Sequence, residues 1–130
     1  MMWLLVALSC VKKAPAPAPV PAPSSPPGVG TASWYGAAFA GKPTASGEPF
    51  EPHDLTAAHR SLPFGTIVLV TRLDTGAKVK VTINDRGPYS GGRLIDLSEA
   101  AAQALGMIDA GTARVKLTVV GCDASYGKCD

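Results

Sequence analysis

Three ionisable side chains stand where a reaction would need them. Asp85 lies in Thr82-Ile83-Asn84-Asp85-Arg86-Gly87-Pro88, Glu48 in Gly47-Glu48-Pro49-Phe50, and His59 closes Leu55-Thr56-Ala57-Ala58-His59. An acid at the end of a strand is held by the strand, while the turn beyond it opens room for substrate. Such a carboxyl group can protonate a leaving oxygen and later take a proton back, provided burial or a second carboxylate raises its pKa. Arg86 opposes that unless its side chain leaves by the other face, which strand alternation permits. The bland readings are an Asp85 that caps its own turn, a surface Glu48 and a satisfied polar His59. Trp34, Tyr35 and Phe39, close together in sequence, suit a sugar-stacking surface, with core packing as the alternative for Trp34 and Phe39. His53, His59 and Asp85 have no recognisable metal-ligand spacing. No nucleotide, metal or redox motif is present, so no cofactor is expected.

The elements around these residues read as a mainly β domain. Residues 66–71 form a nearly continuous β-branched run, expected to be a strand buried on both faces. Asp74-Thr75-Gly76-Ala77 is a turn, and residues 78–84 return with Val79, Val81 and Ile83 inward and Lys78, Lys80 and Thr82 outward, completing a hairpin. Residues 114–120 repeat the alternation with Val115, Leu117 and Val119. One helix is expected after Ser98: Ser98 caps it, Glu99 suits its positive end, the alanines propagate it and Gly106 ends it. Ala101, Ala104 and Leu105 should share its buried face. Asp96 reads as structural, bonding the helix start, and His53 as surface. A small β-barrel with one or two short helices follows from this pattern.

The composition allows one domain in 130 residues, with 46% hydrophobic and 17% charged residues. A formal charge of +2 does not suggest nucleic acid, whose binders concentrate basic charge on one face. Residues 1–10 resemble a lipoprotein signal: an apolar run too short to span a bilayer, then Ser9 and Cys10, the expected lipidation site. A plain cleaved signal is the alternative. Residues 11–28 are an Ala/Pro-rich linker, in which alternating Ala-Pro favours extended polyproline II. The domain proper is placed at 29–121 and a tail at 122–130. With Cys10 lipidated, Cys122 and Cys129 remain as a pair able to close a small disulfide loop in an oxidising compartment; two free thiols are the other possibility.

Seven segments in order, from Ala32-Ser33-Trp34-Tyr35-Gly36 through Leu62-Pro63-Phe64-Gly65-Thr66 to Gly92-Arg93-Leu94-Ile95-Asp96-Leu97-Ser98 and Ala104-Leu105-Gly106, resemble the rare lipoprotein A (RlpA-like) family of bacterial cell-wall lytic transglycosylases. The resemblance implies a six-stranded double-psi β-barrel, shared with expansins. It implies Asp85 as catalytic acid/base, Glu48 lining the same groove to hold the sugar or share a proton, and His59 orienting Asp85 or touching substrate. Glu51 stands where relatives often carry Asp or Asn. Tyr35 and Trp34 become stacking candidates, and Ser46, Asn84 and Arg93 candidates for sugar hydroxyls or the lactyl carboxylate. One carboxyl group would suffice, because the C6 hydroxyl of muramic acid can close onto C1 and replace the second carboxylate of ordinary glycosidases. The implied partners are peptidoglycan strands and, through Cys10, a membrane, which would make this a periplasm-facing lipoprotein of the bacterial envelope, in the outer membrane. An expansin-like, non-catalytic glycan binder is the alternative, and oligomeric state stays open.

Overall fold

The structure is a computed structural model that describes residues 28–89 and 91–126. The signal-like segment with Cys10, the linker before Gly28, and Cys129 lie outside the described residues. Six strands form: β1 (Gly28–Tyr35), β2 (Thr56–Ala58), β3 (Thr66–Arg72), β4 (Lys78–Asp85), β5 (Ile95–Ser98) and β6 (Ala113–Cys122). They close into a barrel in the order β1-β5-β2-β4-β3-β6. β1 with β5 and β2 with β4 are parallel, and the other neighbours are antiparallel. Closure leaves no strand edge exposed.

Each strand gives one face to the interior. Val68, Val70, Val81, Ile83, Ile95, Leu97, Val115 and Leu117 fill it, and each such side chain contributes about 1.5–3 kcal/mol on burial. β3 is not buried on both faces as its composition suggested. Val68 and Val70 are interior, whereas Ile67 and Leu69 on the outer face are only half-buried, because a closed barrel has a single interior side.

The helix α1 (Glu99–Ala104) follows β5 directly. The Ser98 hydroxyl accepts the amide of Ala101 at 3.3 Å, satisfying an orphan donor of the first turn. Its buried stripe is Ala101, Ala102 and Leu105, and Ala104 is exposed, contrary to the face expected from sequence. Gly106, with φ +68°, ends it.

One irregularity governs the site. Ala57 pairs with Ile83, but its neighbour Ala58 pairs with Asp85, so Asn84 is an extra residue in β4. Such a bulge re-aims the side chain that follows it. Ile83 stays in the core. Asp85 joins a row that runs from β4 to β1 through Ala58, Asp96 and Ser33.

Candidate active site

Asp85 is held by its backbone and by one carboxylate oxygen. Oδ1 accepts the N–H of Ala45 at 2.9 Å and of Arg86 at 2.8 Å. The Asp85 carbonyl accepts the N–H of His59 at 3.2 Å, and the Asn84 carbonyl accepts that of Ser46 at 3.2 Å. A rigid strand end is thereby tied to the 44–48 loop. Oδ2 accepts no hydrogen bond of ordinary geometry from the described residues, and the Tyr35 hydroxyl lies near the carboxylate.

The Arg86 guanidinium leaves the carboxylate alone. It lies 4.1 Å from the centre of the Phe64 ring and bonds the His59 carbonyl at 3.2 Å. The face change permitted by sequence is what the fold uses.

Glu48 enters through Asn84. The buried Asn84 side chain donates from Nδ2 to Glu48 Oε1 at 2.8 Å. Ser46 bonds Thr44 through its hydroxyl at 2.9 Å and shapes the loop that carries Glu48. The same Glu48 oxygen accepts the Tyr126 hydroxyl. Tyr126 belongs to residues 122–126, read from sequence as tail: Cys122 ends β6, and Ala124–Tyr126 form a 3-10 turn. Cys122 is disulfide-bonded.

His59 is buried, and its Nδ1 accepts the amides of Ser61 and Leu62, each at 3.1 Å. Nε2 therefore carries the proton of the neutral ring. Burial, then the charges of Arg86 and Arg60, hold its pKa below the usual histidine value. Nε2 itself has no partner among the described residues.

Tyr35 and Trp34 part company. Tyr35 shares its face with Ser33 and stacks on Phe50, with ring centres 4.6 Å apart, while Phe39 meets it edge-on at 5.7 Å. Burial first, then the charges of Asp85 and Asp96, push the Tyr35 hydroxyl far above its ordinary pKa. The hydroxyl is buried, and its approach to Asp85 falls short of hydrogen-bond geometry. Trp34 lies on the alternate face and packs against the core.

Asp96 does not bond the helix start. It accepts the Ser33 hydroxyl and pairs with Arg93 at 3.1 Å, and Ser98 alone serves as the cap. Arg93 thus reaches the site row through Asp96. Glu51 accepts the His53 amide at 3.1 Å and pairs with the His53 ring at the surface. Among the described residues no group of acids, histidines and cysteines could hold a metal.

Sequence reading did not bring Asp96, Phe50 and Tyr126 beside these residues. Phe50 was visible inside the Gly-Glu-Pro-Phe segment. Asp96 could have been found from its three-residue spacing to Arg93. Tyr126 had no signal.

The family model described as "Lytic transglycolase" matches residues 28–117. The chain belongs to that family. Within the lytic transglycolase family and its RlpA proteins, several relatives are close in sequence. The "Probable endolytic peptidoglycan transglycosylase RlpA" of Treponema pallidum is 60% identical over 88 residues, covering 68% of this chain and 28% of that protein. The "Endolytic peptidoglycan transglycosylase RlpA" of Pseudomonas aeruginosa is 55% identical over 89 residues, covering 68% and 26%. The match spans about a quarter to a third of the length of these relatives. Among solved structures, a Clavibacter michiganensis expansin superposes with a TM-score of 0.58 at 26% identity, over 72% of this chain and 50% of that one. A Streptomyces papain inhibitor superposes at 0.55 and 23% identity, over 69% and 92%, which shows the shared fold. The six-stranded closed barrel of this family member is a double-psi β-barrel, as its sequence segments implied.

Proposed function

We propose that the chain is an endolytic peptidoglycan lytic transglycosylase with Asp85 as its general acid/base. The observation that carries this reading is the setting of Asp85 at a strand end: Oδ1 is fixed by two amides, and the Arg86 guanidinium is turned onto Phe64 and away from the carboxylate. A second carboxylate, Glu48, is anchored to the preceding residue. The names of the RlpA relatives support the substrate and reaction class.

The protonated Asp85 donates its proton to the oxygen linking MurNAc C1 to GlcNAc. That C1–O bond breaks, and the C6 hydroxyl of the same MurNAc forms a new bond to C1. Its proton returns to the Asp85 carboxylate, leaving a 1,6-anhydro-MurNAc end and a free GlcNAc hydroxyl. No water is consumed, so one acid/base suffices where ordinary hydrolysis uses two carboxylates. Tyr35, backed by Phe50 and Phe39, offers a stacking wall for the sugar. In this reading Glu48 meets a sugar hydroxyl, while the buried His59 holds the strand end through its amide bond to the Asp85 carbonyl, and much of the rate comes from such positioning.

A second reading has one observation in its favour. The Clavibacter michiganensis expansin has been solved in complex with cellohexaose, and it matches this barrel with a TM-score of 0.57 at 25% identity. The same groove would then bind glycan without cleaving it. Digestion of purified peptidoglycan by the full chain, with products read by mass spectrometry beside Asp85→Asn, separates the two. Anhydro-muramyl products that vanish in the variant support the enzyme. Glycan pelleting without any product leaves the binder.

The segment ending at Cys10 is proposed to anchor this activity to the outer membrane, facing the periplasm. Radiolabelled palmitate incorporated by the wild type and lost in Cys10→Ser tests the anchor.

A further inference from the structure

Glu48 is held from two sides. Asn84, on the bulge of β4, donates to Oε1 at 2.8 Å. Tyr126 donates its hydroxyl to the same oxygen from the far end of the chain. Oε2 accepts nothing from the described residues. An oxygen that takes two donors is fixed in direction, and the other oxygen of a planar carboxylate is then fixed as well.

Tyr126 reaches this position through a specific close approach. Its Cβ and the Asp123 carbonyl pack on Gly65, where an added Cβ would stand 2.8 Å and 2.9 Å from them. The Asp123 amide bonds the Gly65 carbonyl at 2.7 Å, and the Gly65 amide bonds the Ile83 carbonyl at 2.7 Å. Ile83 is the last core residue before Asn84 and Asp85. The turn that carries Tyr126 is therefore clamped to the same strand end that carries the acid. Tyr126 also lies beyond residues 28–117, the part matched by the family model.

We propose that Tyr126 is a positioning residue for Glu48: its hydroxyl and Asn84 together hold Oε1, so that Oε2 is presented to the glycan. This rests on the transglycosylase reading for its catalytic consequence, though not for its geometry. A hydrogen bond from a neutral donor to a charged acceptor is worth enough to change a rate by roughly tenfold or more when it orients a reacting group.

The test uses the full chain and three variants: Tyr126→Phe, Glu48→Gln and the double variant. In Tyr126→Phe, kcat on peptidoglycan should fall about tenfold with KM changed less than about twofold, and the melting temperature should move by only a few degrees. Glu48→Gln should be impaired more, and adding Tyr126→Phe to it should cost nothing further, because the pair acts as a unit. A Tyr126→Phe enzyme with wild-type kcat, or losses that multiply in the double variant, would overturn the proposal. A readout free of activity accompanies these: the side-chain NH2 resonances of Asn84, which shares Oε1 with Tyr126, should shift or broaden in Tyr126→Phe. If they stay in place, the proposal fails whatever the enzyme does. A wild-type chain that releases no anhydro product sinks the transglycosylase reading alone, and the Asn84 resonances then still decide on Tyr126.

Discussion

Arg86 follows Asp85 directly, yet only its backbone touches the Asp85 carboxylate. The amide of Arg86 bonds Asp85 Oδ1 at 2.8 Å, while the guanidinium lies over Phe64 with its centre 4.1 Å from that of the ring. A guanidinium paired to Asp85 would favour the charged carboxylate and oppose the acid role proposed for it. Phe64 and the His59 carbonyl give the arginine another place to go. The arginine thus braces the strand end without neutralising the group it braces.

Replacing Asp85 by Asn keeps the two amide contacts to Oδ1 possible and removes the transferable proton. Turnover to anhydro products should fall by a factor of roughly 10²–10⁴. Glycan binding, followed by co-sedimentation, should survive within a few fold. A variant that still cleaves at the wild-type rate would remove Asp85 from the mechanism.

Tyr35 tests whether the groove stores unfavourable burial for function. Its hydroxyl is buried without a hydrogen-bond partner of ordinary geometry among the described residues, and its pKa is raised mainly by burial. Tyr35→Phe deletes an unsatisfied polar group, so stability in chemical denaturation should hold or rise by up to about 1 kcal/mol. Its kcat/KM on peptidoglycan should fall severalfold if the hydroxyl meets the sugar. A loss of stability would show that the hydroxyl is satisfied in solution.

The pH dependence of stability should carry a His59 component. Its folded pKa lies below the unfolded value, with burial as the leading cause and Arg86 next. Between the folded value and about 6.5 the unfolded chain binds more protons, so stability is complete above that window and declines as pH falls through it. Protonation would also turn Nδ1 from acceptor to donor against the amides of Ser61 and Leu62. Melting temperatures from about pH 7 down to about pH 5 should fall in the wild type and fall less steeply in His59→Gln. Equal slopes would exclude His59 as the titrating group.

Gly65 joins the 122–126 segment to the site. It has φ +92°, and an added Cβ would lie 2.8 Å from Tyr126 Cβ and 2.9 Å from a backbone oxygen. Gly65→Ala should cost about 2 kcal/mol through backbone strain and that clash. Because Tyr126 would be displaced from Glu48, turnover should fall more than Tyr126→Phe alone predicts from a lost hydroxyl. Calorimetry and the product assay measure the two effects separately.

Much of the fold was legible because it is local. The β3–β4 hairpin, the inward set Val79, Val81 and Ile83, and the Ser98 cap depend on alternation and on side chains meeting their own backbone neighbours, which adjacent residues determine. The segments around Asp85, Glu48 and His59 also marked the family, and with it the barrel. What sequence could not supply was register. Alternation along β4 continues Asp85 into the core after Ile83. Only the pairing of Ala58 with Asp85 shows that Asn84 is an extra residue and that Asp85 joins the row of Ala58 and Asp96.

The same distinction separates the site residues. The sequence by itself determined which groups could do acid/base chemistry and which strand end would hold one of them, since side-chain chemistry and short-range periodicity are carried by the residues themselves. Tertiary structure alone decided that Trp34 packs against the core while Tyr35 meets Phe50 and Asp85, and that Glu51 pairs with His53 at the surface. It also decided that Asp96 serves Ser33 and Arg93 instead of the helix. Tyr126 meets Glu48 across 78 positions of chain. Such contacts arise from barrel closure, which juxtaposes distant segments through packing that no local pattern encodes.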